Sequence, residues 1–121
     1  MSRKICIALI AMTVLGATAV TAHPKLQTSV PARDAKLSAA PKEIRMRFSE
    51  GLVANFSGAE LKDGNGKVIP TGKAALVSGS SKQLVVPITA KLAPGNYTVA
   101  WHAVSVDTHR ISGSYGFKIV K

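Results

Sequence analysis

Polar and apolar residues alternate along three segments of this chain. Glu43-Ile44-Arg45-Met46-Arg47-Phe48 puts Ile44, Met46 and Phe48 on one face. Asn96-Tyr97-Thr98-Val99-Ala100-Trp101 does the same for Tyr97, Val99 and Trp101, and Ser114-Tyr115-Gly116-Phe117-Lys118-Ile119 repeats it. A period of two marks a half-buried strand. Further strands are expected over residues 26–30, 59–62, 73–78 and 83–88. In the last, the run Leu84-Val85-Val86 meets Pro87, which favours an edge or a bulge. Turn signals separate the strands: Asp63-Gly64-Asn65-Gly66, Ser78-Gly79-Ser80-Ser81 and Pro94-Gly95-Asn96. Pro31 and Pro41 bracket a stretch without a clear period. Beyond residue 22 nothing carries helical periodicity over ten residues. Short strands with regular turns predict an all-β domain, a β-sandwich or a small barrel.

The N-terminus follows a different pattern. Arg3 and Lys4 precede an apolar run over residues 5–15, Gly16 breaks it, and small residues continue to Ala22. That is the layout of a secretory signal peptide, and the apolar run is shorter than the roughly 20 residues of a membrane span. Without paired arginines, the ordinary secretory route is expected. Two cleavage points fit, after Ala17-Thr18-Ala19 or after Val20-Thr21-Ala22. The second makes His23 the first residue of the mature protein.

Composition narrows the classes further. At 121 residues and 46% hydrophobic, the chain holds one small domain. A polytopic membrane protein is excluded, since the only long apolar run is N-terminal. Cys6 is the only cysteine, which excludes a disulfide scaffold. Cleavage after Ala22 leaves residues 23–121 and no thiol. It also removes Arg3 and Lys4 from the 16 basic residues, leaving 14 against 6 acidic, a net charge of +8.

Candidate chemistry rests on few residues. The histidines are His23, His102 and His109. In Val106-Asp107-Thr108-His109, Asp107 and His109 are two apart, so on an extended chain they point the same way with Cα atoms about 6.5–7 Å apart. They can converge on one ion or form a solvated turn pair. His23, if exposed by processing, offers an α-amine and an imidazole in one chelate ring. Pro24 has no N–H, so a metal cannot bind there through a deprotonated amide. With Asp107 and His109 this makes three nitrogens and one oxygen, a set that suits tetragonal Cu(II) better than tetrahedral zinc. Cu(I) prefers soft sulfur, yet beyond the signal the sole methionine is Met46, which the alternation places in the core. His102 must face away from Trp101 and differs in parity from Asp107 and His109; it is a hydrogen-bonded structural residue or a ligand. Glu50, just past Phe48-Ser49, is a solvated charge or an outer acceptor that orients a ligand.

Taken together, the residues resemble the CopC family of periplasmic copper-binding proteins. The resemblance lies in His23-Pro24-Lys25-Leu26, Pro31-Ala32-Arg33-Asp34-Ala35, Ile44 to Glu50, and above all Pro94 to Val99, Trp101 to His109 and Gly113 to Phe117. Phe48-Ser49-Glu50-Gly51 and Phe56-Ser57-Gly58-Ala59 point to its YobA-like branch. The resemblance implies a Greek-key, immunoglobulin-like β-sandwich (a cupredoxin-like small barrel) over residues 23–121, behind a signal peptide at 1–22. It implies Cu(II) as the metal, with His23, Asp107 and His109 as ligands and Glu50 nearby. Some members carry Arg at the position of His102, which therefore is not a general ligand. Thr108 stands where glycine is frequent and Arg110 where proline is, so the loop is expected to be stiffer or differently shaped.

The expected function is a monomeric periplasmic copper carrier or buffer in copper homeostasis and resistance. It is not an enzyme, and its partner is an inner-membrane CopD-like transporter. Two alternatives stand beside it. One is a metal-free envelope module whose positive charge meets an anionic membrane or acidic partner. The other is a copper-brace monooxygenase-like enzyme, for which the chain is short and lacks a broad aromatic platform. No nucleic-acid recognition motif is present.

Overall fold

The computed structural model describes residues 24–121. The expected signal peptide and His23 lie outside the described residues. Nine strands form two sheets: β1 (Leu26–Val30), β2 (Lys36–Leu37), β3 (Glu43–Phe48), β4 (Gly58–Asp63), β5 (Val68–Ile69), β6 (Ala75–Leu76), β7 (Gln83–Pro87), β8 (Gly95–Val104) and β9 (Arg110–Ile119). One sheet has the order β1-β3-β7-β6, the other β2-β9-β8-β4-β5. All pairings are antiparallel except β2 with β9. The chain crosses between sheets after β1, β2, β3, β5 and β7, giving the Greek-key sandwich expected.

Alternation decides which side chains fill the interior. Ile44, Met46 and Phe48 of β3 are fully buried, with Arg45 and Arg47 outward. Facing them are Tyr97, Val99 and Ala103 of β8 and Tyr115, Phe117 and Ile119 of β9. The Tyr97 and Phe117 rings stack with centroids 5.4 Å apart. The Tyr97 hydroxyl donates back to the Ala93 carbonyl at 2.6 Å, a tyrosine corner tying the preceding loop to β8. In the expected turn between β4 and β5, the Asp63 carboxylate accepts from the amides of Asn65 and Lys67.

Several details depart from the sequence expectations. The strand expected over 73–78 is only Ala75–Leu76. β7 is not an edge strand, because β6 flanks it. Pro87 is accommodated since β6 pairs only with Leu84 and Val85, and the Pro87 carbonyl accepts from Gly72 on that open side. The stretch between Pro31 and Pro41 contributes β2, and a single 3-10 turn forms at Ala54–Phe56.

One end of the sandwich is laced shut by residues 49–53. Ser49 bonds back to Lys25 of the N-terminal segment. The Leu52 amide donates to the Ser81 carbonyl of the β6–β7 turn. Gly51, Leu52 and Val53 run antiparallel against Val106, Ser105 and Val104: the Val106 amide donates to the Gly51 carbonyl at 3.0 Å and the Val53 amide to the Val104 carbonyl at 2.8 Å. This lacing brings the start of the described chain, Glu50 and the β8–β9 turn to the same end.

Candidate metal centre

The β8–β9 connection is the five-residue turn 105–109, closed by the Val104–Arg110 pair. The Ser105 amide donates to the His109 carbonyl at 2.9 Å, and the Thr108 amide to the Ser105 carbonyl at 2.9 Å. Thr108 has φ +74°, in the left-handed region where a β-branched residue is strained. Its hydroxyl donates to the Asp107 carbonyl at 2.6 Å. The position expected to favour glycine therefore keeps a left-handed backbone with threonine in place.

This turn sets Asp107 and His109 side by side. Asp107 Oδ2 and His109 Nδ1 are 3.1 Å apart; the two side chains are 48% and 34% exposed, while Nδ1 itself is shielded from solvent. Two bonds of about 2.1 Å, typical of a divalent ion to nitrogen or oxygen, span about 3 Å when at right angles. The pair thus has the spacing of two adjacent ligands on one ion. The Ser105 hydroxyl, which contacts Asp107 Oδ1, is the main influence holding the Asp107 carboxyl below the usual carboxylate range, aided by the imidazole of His109. Asp107 is thereby kept ionised, the form a metal requires.

The other candidates fall elsewhere. Glu50 is half-buried beside Gly51. Among the described residues no three His, Cys, Asp or Glu side chains gather as a metal-holding group, so Glu50 stands apart from the pair. His102 is exposed on the outer face of β8, as its parity predicts. Its ring edge lies over Gly58, whose added Cβ would sit 3.2 Å from Cε1. Met46 is fully buried, as expected of a core residue. Pro24 is buried too, and Lys25 is fastened to Ser49, one residue from Glu50. His23 precedes that anchored point.

Ser105 was missed by reading the sequence. It is fully buried, and its Oγ accepts from the His109 amide at 3.2 Å as well as touching Asp107. The sequence carries only a faint signal, a small hydroxyl residue two positions before the Asp107-Thr108-His109 pair.

The chain matches the CopC domain over residues 26–120. The chain belongs to the CopC family. Protein YobA of Escherichia coli K12 is 42% identical over 107 residues, covering 88% of this chain and 86% of that one. Copper resistance protein C of Pseudomonas syringae pv. tomato is 40% identical over 124 residues, covering 98% of both. The crystal structure of PcoC, a methionine-rich copper resistance protein from Escherichia coli, superposes with a TM-score of 0.72 at 38% identity, covering 82% of this chain and 100% of that one. In contrast to that description of PcoC, this CopC-family chain has Met46 as its only methionine from residue 24 onward.

Proposed function

We propose that this CopC-family protein is exported to the periplasm, cleaved after Ala22, and carries or buffers Cu(II) as a monomer in copper homeostasis and resistance. Copper is its cargo, and the protein is not an enzyme. The ligands are the α-amine and imidazole of His23, the Asp107 carboxylate and the His109 imidazole. The observation that carries this reading is the 3.1 Å approach of Asp107 to His109 at the same end of the sandwich as the anchored Pro24-Lys25 segment. Three nitrogens with one carboxylate oxygen favour Cu(II) in a tetragonal field. The single available thioether, Met46, is sealed in the core, so the described residues offer no sulfur for Cu(I).

Binding requires the amine and both imidazoles without their protons. Protons therefore compete with copper for these groups, so Cu(II) is held at neutral pH and released progressively under acid. Release to an inner-membrane CopD-like transporter is the natural next step for such a carrier.

The test is to prepare the protein beginning at His23 and a second form with one extra residue before it. The added residue moves the free amine off the histidine and breaks the chelate ring. Cu(II) affinity should drop sharply and the nitrogen-rich paramagnetic resonance signature should change. Equal affinity in the two forms overturns the amine ligand, and a natural N-terminus at Val20, read by intact mass, overturns the processing.

A further inference from the structure

We infer that Ser105 is the positioning residue of the copper site, with one buried hydroxyl that sets the carboxylate of Asp107 and the backbone of His109 together. The inference rests on the Cu(II)-site reading above and extends it to a residue that touches no metal.

A serine hydroxyl has one proton to give and two lone pairs with which to accept. At Ser105 both functions are engaged. The proton goes to Asp107 Oδ1, and a lone pair takes the His109 amide at 3.2 Å. The residue is fully buried, so water cannot replace either partner. Its own backbone is fixed on both sides, by the bridge to Leu52 and by the 2.9 Å bond from its amide to the His109 carbonyl. Ser105 is thus a fixed point on the lacing that joins the two sheets. Asp107 Oδ1 is occupied by this fixed hydroxyl, which leaves Oδ2 as the oxygen turned toward His109 Nδ1.

The hydroxyl has a consequence for binding. An exposed aspartate at a turn samples several rotamers and would have to be frozen when copper arrives. Ser105 removes that freedom beforehand and selects which carboxylate oxygen ligates. Loss of an outer partner of this kind typically lowers metal affinity about 10–100-fold.

The experiment compares Ser105→Ala, Asp107→Ala and the double variant, all beginning at His23, by competition titration with Cu(II) and by paramagnetic resonance. Ser105→Ala should bind about 10–100-fold more weakly, with altered copper hyperfine splitting from a displaced oxygen ligand. In the Asp107→Ala background the same substitution should cost clearly less than in the parent, because only its hold on the His109 backbone remains. Equal effects of Ser105→Ala in both backgrounds, or an unchanged affinity and spectrum, overturn the inference. If Asp107→Ala itself leaves copper binding unaltered, the ligand assignment fails instead. Circular dichroism checks that each variant folds. Should alanine unfold the turn, Ser105→Thr, which keeps the hydroxyl, must retain the parent's affinity and spectrum, and a tenfold loss in a folded Ser105→Thr overturns the inference.

Discussion

Lys25 and Ser49 hold each other by two hydrogen bonds, from the Lys25 amide to Ser49 Oγ at 2.9 Å and from the Ser49 amide to the Lys25 carbonyl at 2.9 Å. The second is a main-chain bond that any residue at 49 can make, while the first depends on the hydroxyl. Ser49→Ala should therefore loosen the N-terminal segment without freeing it. An exposed bond of this kind contributes about 1 kcal/mol. Chemical denaturation should show a loss of that size. Copper should also dissociate several-fold faster, because the segment preceding Lys25 is less restrained. A dissociation rate equal to the parent's would detach this clamp from copper retention.

His102 provides the opposite expectation. It points away from the interior and is separated from the Asp107–His109 turn by strand parity. His102→Ala should leave Cu(II) affinity within about twofold and stability within about 0.5 kcal/mol, as for surface substitutions generally. A tenfold loss of copper affinity by competition titration would return His102 to the ligand set.

Much of this architecture is legible from alternation alone. β3 appears at the residues expected, and β8 and β9 contain their expected segments, because each buries one face against the other sheet. Period two also fixes Met46 inward and His102 outward. The two-residue strands β2, β5 and β6 leave no periodic trace, since they are defined by the partners they meet. The D-x-H pair could be read as converging, but its support could not. Ser105 looks like an ordinary strand residue until Leu52 is seen beside it, and that neighbour is 53 positions away in the chain. The lacing through residues 49–53 is non-local in the same way.

Gly113 lies beneath the only tryptophan. A Cβ added there would stand 2.5 Å from Trp101 Cζ2 and 2.9 Å from Cε2, closer than side chains tolerate. Moving the indole aside would break its edge-on contact with the fully buried Phe48 ring, whose centroid lies 5.4 Å away. Gly113→Ala should cost about 1–3 kcal/mol through overpacking. The displaced indole should shift the intrinsic fluorescence maximum, and unchanged emission with unchanged stability would contradict this packing.

Tyr115 makes stability sensitive to alkali. Burial pushes its phenol above the ordinary value, with the Ser29 hydroxyl offsetting part of the effect. Above about pH 10, where a free phenol ionises, the unfolded chain sheds this proton while the folded one retains it. The folded state then binds more protons, so stability falls as pH rises. Tyr115→Phe should remove that part of the alkaline decline. Near neutrality it should change stability little, since the hydroxyl makes no hydrogen bond of regular geometry among the described residues. Denaturation at pH 7 and pH 10.5 tests the sign: a parent and variant that lose stability in parallel would refute it.

Thr108 sets strain against a local bond. A β-branched residue at φ +74° carries about 1–3 kcal/mol of backbone strain. Its hydroxyl recovers part of this by donating to the Asp107 carbonyl at 2.6 Å, worth about 1 kcal/mol. Glycine would relieve the strain but lose that bond and add about 0.4–1 kcal/mol of unfolded-state entropy, so Thr108→Gly should be close to neutral. Asparagine tolerates the left-handed region without glycine's entropy penalty. Thr108→Asn should therefore raise stability by about 1 kcal/mol, read as a higher denaturation midpoint. Copper affinity should stay within about threefold, since the left-handed backbone that aligns Asp107 with His109 is preserved. A destabilised Thr108→Asn would mean that the threonine hydroxyl contributes more than the strain removes.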